Sequence, residues 1–205
     1  SIPDSMGISI ETPWGNVVAT GDLTLDHENG VPAEHEQKKW GAIGKENNLF
    51  FIADSTNAER DGFSVPEKKV HDTLADIIKT VQGRLIIGTF ASQFERMMHI
   101  IQASEKLGKK IVIEGRSMRT NLEVAEKTGL LKIQKNTVIP AAEIGDYPPD
   151  KIVVIATGAQ GEQYALLDRV ADGTHKYIKL SEHDTIIFSS SVIPGNERTV
   201  EGLKD

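Results

Sequence analysis

The 205-residue sequence contains no cysteine, and aromatic residues make up only 5% of it. The absence of cysteine excludes disulfide bonds and metal sites with thiolate ligands. No apolar run reaches the roughly 20 residues of a membrane-spanning helix, so we expect no membrane partner. The first residues also lack the basic and then apolar pattern of a secretory signal, and we therefore expect a cytoplasmic protein.

Basic residues are outnumbered by acidic ones, 23 to 30, which gives a net charge of −7 at pH 7. This balance argues against a general surface for binding polyanions, so any contact with nucleic acid must be a local groove. The length and the 39% hydrophobic content allow a full core. We expect one domain, or one domain together with part of another.

The stretch from Leu85 to Ala125 alternates strand patterns with helix patterns. Apolar runs at 85–87 and 111–113 predict buried strands, each followed by a short loop and a helix. Ser92, with Glu95 three residues later, predicts a capping box at the first helix. Strands joined through helices lie parallel, so both loops should open at the carboxyl edge of the sheet, where α/β sheets bind ligands.

The residues before this stretch predict a hairpin, a loop, a strand and a helix. The hairpin is expected at 5–21, and the polar segment 23–48 is expected to be a long loop with one short helix. The apolar run 49–53 predicts a buried strand. Pro66 is expected to open a helix whose apolar face continues to Val81.

The residues after it predict further strands and a final helix. We expect strands near 138–139, at 152–155, at 177–180 and at 185–188. The glycine-rich segment Thr157–Gly161 matches neither the dinucleotide-binding fingerprint nor the P-loop, which favours a tight structural turn.

Five short motifs resemble those of the β-CASP domain of ribonuclease J, in the order of that family. They are Asp54–Glu59, Thr89–Ser92 with Arg96, Gly115–Met118 with Asn121, Thr157–Glu162 and Ile193–Glu197. One such motif alone would be weak, but five in order are specific, and the similarity covers essentially the whole chain. The resemblance implies an α/β fold, with a Rossmann-like parallel sheet between flanking helices.

In ribonuclease J the β-CASP domain is inserted into a metallo-β-lactamase domain. The resemblance therefore implies that residues 1–62 are the last strands of the first metallo-β-lactamase half, and that 63–205 are a β-CASP domain incomplete at its C-terminal end. The family's His-x-His-x-Asp-His motif is absent from this sequence. We therefore expect a central fragment that lacks most metal ligands and is inactive alone.

Two aspartates are the candidate catalytic residues. The resemblance implies that Asp22 bridges two divalent metal ions, zinc or manganese, which activate a water and stabilise the leaving oxygen of a phosphodiester. It also implies that Asp54 supports this site by orienting a histidine ligand of the metal through the other ring nitrogen of that histidine. Without the resemblance, Asp22 could be a solvated aspartate at a strand end, and Asp54 could bond only to its own turn.

Two segments at the predicted carboxyl edge are candidates for binding substrate. Phe90, Ala91 and Ser92 could supply an aromatic ring for stacking, backbone N–H groups and a hydroxyl, and the last two favour a phosphate. The same residues could instead be a helix cap beside a core phenylalanine. Arg116 and Ser117 could contact phosphate, although Arg116 could equally pair with a carboxylate.

The motif around Ser92 departs from the family at one position. Glu95 stands where the family usually has a histidine, so a contact made by that histidine cannot be transferred to this chain. Arg96, the next residue, matches the family.

The resemblance implies that the chain is part of a metal-dependent RNA hydrolase, a 5′-to-3′ exonuclease and endonuclease. The expected partner is RNA, preferably 5′-monophosphorylated, and the parent protein is expected to be a homo-oligomer. The alternative is a non-catalytic Rossmann-like module that binds a nucleotide or a partner protein at the same loops. A dehydrogenase or a P-loop enzyme is excluded because its motif is missing.

Overall fold

The computed structural model describes residues 5–162 and 165–204. The chain forms two compact units, Ser1–Val70 and His71–Asp205. The domain boundary between residues 62 and 63 stays a prediction of the sequence.

The first unit is built around a three-stranded sheet. Its elements are β1 (Ile8–Ile10), β2 (Asn16–Ala19), β3 (His27–Glu28), β4 (Val31–Pro32), α1 (Glu34–Ile43) and β5 (Asn48–Ile52). β1 and β2 pair antiparallel, which confirms the predicted hairpin. β5 pairs parallel with β2, and α1 lies in the connection between them, as a parallel pair requires.

Two details of this unit differ from the predictions. The segment 23–48 contains the predicted short helix, as α1, but its first part forms the small hairpin β3–β4, which was predicted to be loop. The strand β5 forms, but all of its residues are exposed, so the prediction that it is buried was wrong. An apolar run shows that the side chains of a strand are suited to burial. They become buried only where other elements of the protein cover both faces of the sheet. Trp40 of α1 contacts Phe51 edge to face, at 6.3 Å between ring centroids.

The second unit contains a four-stranded sheet with helices. The boundary between the two units falls within helix α2 (Glu67–Thr80). The later elements of the second unit are β6 (Leu85–Gly88), α3 (Phe94–Lys106), β7 (Lys110–Glu114), α4 (Arg116–Thr128), two 3₁₀ turns (Ala141–Asp146 and Pro149–Lys151), β8 (Ile152–Ala156), α5 (Leu166–Ala171), β9 (Thr185–Phe188) and α6 (Glu197–Lys204).

All four strands of this sheet are parallel, in the order β7-β8-β6-β9. This confirms the predicted α/β class with a parallel sheet and flanking helices. β6 and β8 are buried along their whole length, as expected of parallel strands covered on both faces. Each fully buried isoleucine or valine contributes about 1.5–3 kcal/mol to the stability of this core. No helix in residues 5–162 and 165–204 is long and apolar enough to cross a membrane.

Two local predictions in the second unit were wrong. Helix α3 begins at Phe94, so its N-cap residue is Gln93 and not Ser92, and no side-chain hydrogen bond caps the helix; Ser92 and Glu95 therefore do not form a capping box. Residues 177–180 do not form a strand. The backbone N–H groups of Tyr177 and Ile178 donate to Nδ1 of His175 instead, and they are therefore not available to a strand ladder.

Candidate functional site

Asp22 lies just after β2, at a cleft of about 200 Å³ within the first unit. The polar residues that line this cleft include Ser5, Thr20, Asp22, Lys39 and Glu46, and Trp40 contributes an aromatic wall. The backbone before Asp22 approaches its neighbours closely: a Cβ at Gly21, where φ is +62°, would lie 2.9 Å from the carbonyl oxygen of Met6. Ser5 donates to the carbonyl oxygen of Asp22 at 2.7 Å. The main chain at Asp22 is therefore held in place.

Asp54 contacts the chain on both sides of Asp22. Its backbone N–H donates to the hydroxyl oxygen of the buried Thr20 at 3.1 Å, and its carboxylate accepts from the N–H of Leu23 at 3.2 Å. The other carboxylate oxygen accepts from the backbone N–H and the hydroxyl of Thr56, at 2.9 and 2.7 Å. The Asp54 side chain thus makes the predicted bond to its own turn and also contacts the residue after Asp22, whereas its role in a metal site stays a prediction.

These hydrogen bonds favour the charged form of Asp54. Its pKa lies below the ordinary value, first because of the Thr56 backbone N–H, then the Thr56 hydroxyl and the Leu23 N–H. The carboxylate is mostly exposed, so the effect on stability is small in water.

The donor set fits a metal ion only in part. Asp22 supplies a carboxylate, a ligand type that suits zinc or manganese. The carboxylate oxygens of Asp54 are already engaged by Thr56 and Leu23. In the part of the chain that the structure describes, no three His, Asp or Glu side chains are arranged to hold a metal ion. The described residues therefore do not form a complete metal site.

In the second unit, the loops that follow the four parallel strands open on one edge of the sheet. Ser92 is exposed, whereas Phe90 and Ala91 are half-buried. Arg116 and Ser117 are exposed in the first turn of α4, rather than in a loop. The structure links the two predicted substrate segments, since the Asn121 amide of α4 donates to the carbonyl oxygen of Ala91 at 2.9 Å.

The loops after β7 and β8 also touch. Gly115, between β7 and α4, has φ +125°, and a Cβ there would lie 2.7 Å from Cγ2 of Thr157. Only glycine fits both this conformation and this contact without strain. Gly115 thus allows the start of α4 to approach the loop that follows β8.

The arginines of this edge have different roles. Arg119, not Arg116, pairs with Glu114 among the described residues, and Arg119 also donates to the carbonyl oxygen of Ile113. Arg96 is buried, where it donates to the amide oxygen of Gln93 at 3.0 Å and to the carbonyl oxygen of Ser189. Arg96 therefore acts as a brace inside the loops and is not an exposed contact for phosphate.

Sequence reasoning missed three residues that hold these loops: Gln93, Ser189 and Gln160, whose side-chain amide bonds to the main chain of Ser191 and Ile193. The amide oxygen of Gln93 accepts from the Thr89 hydroxyl at 2.7 Å and from Arg96. The Arg96 contact with Ser189 joins positions 93 residues apart. No local pattern could have revealed such a contact.

Comparison with known proteins agrees with this architecture. Residues 82–205 match the family model described as "Ribonuclease J, beta-CASP domain". Ribonuclease J of Mycoplasma genitalium is 39% identical over 203 residues, which cover 99% of this chain and 36% of that protein. Ribonuclease J of Thermus thermophilus is 39% identical over 200 residues, which cover 98% of this chain and 35% of that protein. The chain thus spans little more than a third of the length of these relatives.

A solved structure has a related fold. It is a protein of unknown function from Enterococcus faecalis V583, with a TM-score of 0.56 over 96% of this chain and 52% of that one. At 16% identity, this similarity concerns the fold alone.

Proposed function

The chain belongs to the β-CASP family of ribonuclease J, and we propose that it is part of a metal-dependent RNA hydrolase. The full protein would act as a 5′-to-3′ exonuclease and as an endonuclease on RNA. It would work in the cytoplasm as a homo-oligomer, without a membrane partner. The 205 residues alone would be inactive, because residues 5–162 and 165–204 bring together too few metal ligands.

The observation that carries the proposal is the bracing of Asp22. This carboxylate lies at a cleft, and the residues two before it and one after it are both bonded to Asp54. A solvated surface aspartate does not need a main chain fixed on both sides. A metal ligand does, because small errors in position weaken coordination.

Each aspartate has a distinct proposed role. Asp22 would provide one anionic ligand to a pair of zinc or manganese ions, and Asp54 would hold the Asp22 backbone in position. Such a metal pair, when bound, lowers the pKa of a water and neutralises charge on a phosphodiester. The remaining ligands would come from parts of the protein other than the residues described.

We further propose that RNA lies along the carboxyl edge of the four-stranded sheet. Ser92 would donate its hydroxyl to the 5′-phosphate, backbone N–H groups near Ala91 would add to it, and Phe90 would contact a base. Arg116 and Ser117, exposed at the start of α4, would contact a neighbouring phosphate. The contact is local, which is compatible with the acidic overall charge.

The test is Asp22→Asn in a full-length protein that carries this chain. We expect the loss of most activity on 5′-monophosphorylated RNA and a lower metal content, because an anionic ligand is removed, while the thermal stability is kept. Asp26→Asn, an exposed aspartate of the same segment, is the control and should keep activity.

Two results would contradict the proposal. One is an Asp22→Asn protein with kcat within a few-fold of wild type and unchanged metal content. The other is robust metal-dependent cleavage by the purified 205-residue chain, which would show that the metal ligands are already present in it.

A further inference from the structure

Gln160, in the loop after β8, is an amide that is almost fully buried, with 4% of its surface exposed. Its Nε2 donates to the carbonyl oxygen of Ser191 at 2.9 Å, and its Oε1 accepts from the N–H of Ile193 at 2.8 Å. Residues 191 and 193 are two apart. One side-chain amide therefore pairs with the main chain as a peptide group of a neighbouring strand would.

The segment Ser189–Ile193 is held at its other end by a second buried side chain. Arg96, from the helix after β6, donates to the carbonyl oxygen and, at 3.4 Å, to the hydroxyl oxygen of Ser189. The N–H of Ser189 also donates to the carbonyl oxygen of Gly88 at 2.8 Å, which extends the pairing of β9 with β6 by one residue. A side chain from helix α3 and one from the loop after β8 thus fix the two ends of this segment.

The loop that carries Gln160 is itself tightly placed. Gly161 has φ +71°, and a Cβ there would lie 2.6 Å from Cγ2 of Thr199 in α6. The N–H of Gln160 donates to the carboxylate of Glu162 at 3.0 Å. The Gln160 backbone is therefore fixed, and the two hydrogen bonds of its side chain fix the main chain at Ser191 and Ile193 in turn.

We infer that Gln160 is a positioning residue for RNA: it holds Ser190 and Ser191 at the carboxyl edge, so that this serine segment forms one wall of the RNA-binding face. The link to RNA rests on the proposed function. The hydroxyls of Ser190 and Ser191 would add donors to those of Ser92 and Ser117 on the same edge. A buried side-chain amide that bonds through both its N–H donor and its oxygen acceptor is costly to replace, because at least one of its two main-chain partners then loses its hydrogen bond.

The main test is Gln160→Glu in the 205-residue chain. Glutamate keeps the size and the acceptor for Ile193, but it sets a carboxylate oxygen against the carbonyl oxygen of Ser191. Gln134→Glu, which makes the same charge change at an exposed glutamine, is the matched control. Gln160→Met, which is apolar and of similar length, serves as the second variant if the glutamate prevents folding.

Two quantities are measured on each protein. Amide hydrogen exchange of Ile193 by NMR reports the anchoring, and fluorescence anisotropy with a 5′-monophosphorylated RNA oligonucleotide reports binding. We expect about tenfold faster exchange at Ile193 in the Gln160 variants. We also expect at least several-fold weaker RNA binding in them, with neither effect in Gln134→Glu.

The outcomes separate this inference from the function on which it rests. Unchanged exchange at Ile193 overturns the anchoring by Gln160. Faster exchange with unchanged RNA affinity overturns the role in RNA positioning and leaves a purely structural contact. If the wild-type chain binds no RNA, the proposed binding face fails, and so does the positioning role, whereas the exchange result still decides the anchoring.

Discussion

The carboxylate of Asp54 accepts a hydrogen bond from the backbone N–H of Leu23, 31 positions earlier in the chain. Leu23 directly follows Asp22, so a side chain at the end of β5 fixes the main chain beside a carboxylate at the end of β2. The parallel pairing of β2 with β5 brings these two strand ends to the same edge. A charged acceptor makes this bond stronger than one between neutral groups.

The Leu23 amide should report the titration of Asp54. We expect its NMR chemical shift to change with a midpoint below 3.8, the ordinary pKa of aspartate, because the Thr56 and Leu23 donors stabilise the carboxylate. The associated stability is therefore present above about pH 3.8 and is lost as the pH falls through the folded-state pKa. Asp54→Asn should remove the inflection and Asp26→Asn should keep it. A midpoint at or above 3.8 would contradict the bracing.

His175 should make the second unit less stable in mild acid. Its side chain is 3% exposed, and Nδ1 accepts from two backbone N–H groups. Burial, and then the charge of Arg169, lower its pKa below 6.5. A lowered folded-state pKa means that its contribution is full above about pH 6.5 and is lost as the pH falls from there toward the folded value.

The measurement is the free energy of unfolding of the second unit in urea between pH 8 and pH 5. His175→Asn keeps an acceptor near the position of Nδ1 but cannot be protonated, so the decline toward pH 5 should become shallower than in wild type. His183→Asn, at an exposed histidine, should follow the wild-type curve. Parallel curves for wild type and His175→Asn would refute this assignment.

Removing one partner of the buried ion pair between Arg84 and Asp184 should cost far more stability than removing one partner of a surface pair. The side chains are only 12% and 4% exposed, and Arg84 also donates to the carbonyl oxygen of Lys179 at 2.6 Å. Asp184→Ala should destabilise the second unit by about 3–5 kcal/mol, because the guanidinium stays buried without its counter-ion.

The matched control is Glu201→Ala in α6, which removes the partner of Lys204 in a pair that is 69% and 45% exposed. It should cost less than about 1 kcal/mol. Equal losses for the two variants in urea unfolding would mean that burial of the Arg84 pair has no consequence.

Gly115→Ala should be destabilising for two separable reasons. The backbone at φ +125° and ψ +127° lies outside the region that residues with a Cβ adopt and costs about 1–3 kcal/mol, and that Cβ meets the Thr157 methyl at 2.7 Å. Gly129→Ala, where φ is +76°, ψ is 9° and no atom lies within 4 Å, should cost less, about 1–2 kcal/mol, because it meets only the milder strain of the left-handed helical conformation. The double variant Gly115→Ala/Thr157→Ala should recover only the part of the lost stability that comes from the contact with the Thr157 methyl. If the double variant recovers no stability, the predicted contact between these loops is wrong.

Ser92→Ala should affect RNA that carries a 5′-phosphate more than RNA that carries a 5′-hydroxyl. In a full-length protein it should weaken a 5′-monophosphorylated RNA more than a 5′-hydroxyl RNA, by the ~1.5–3 kcal/mol of a hydrogen bond to a charged group. KM and kcat for both substrates give this difference. Ser104→Ala is unsuitable as a control because that serine is buried, whereas Ser181→Ala is exposed and should affect neither substrate. Equal effects on both RNAs would move the phosphate pocket away from Ser92.

Periodicity predicted the second unit better than the first. Short apolar runs bounded by glycine or polar residues correctly located β6, β7 and β8, because a strand covered on both faces leaves a continuous apolar pattern. The same kind of run located β9, although that edge strand is only partly buried. The order β7-β8-β6-β9 could not be read in this way, since alternating strands and helices determine direction but not neighbours.

One missed element did carry a local signal. Asn29 and Gly30, with φ of 50° and 83°, form the two-residue connection of β3 and β4. Asn-Gly is a strong short-range sign of a hairpin, and the polar composition of the segment concealed it. No local sequence pattern indicates that β5 is exposed, because the exposure of a strand depends on which other elements pack against it.

Local sequence suggests candidate residues but not the contacts that they make, and the roles of these residues stay predictions. The position of Asp54 at a strand end and its bond to its own turn follow from local sequence. Its bond to Leu23, and those of Gln160 to Ser191 and Ile193, join positions about 30 apart. Such pairs depend on strand order, which the pattern leaves open.

The first strand of the four-stranded sheet to be synthesised is β6, yet it lies inside the sheet between β8 and β9. Arg84, just before β6, and its partner Asp184, just before β9, are 100 positions apart. At about 5–20 residues per second, β6 waits about 5–20 s on the ribosome before β9 has been made. During that interval an apolar strand has an unpaired edge, and a chaperone that covers such segments would have to act while translation is still under way.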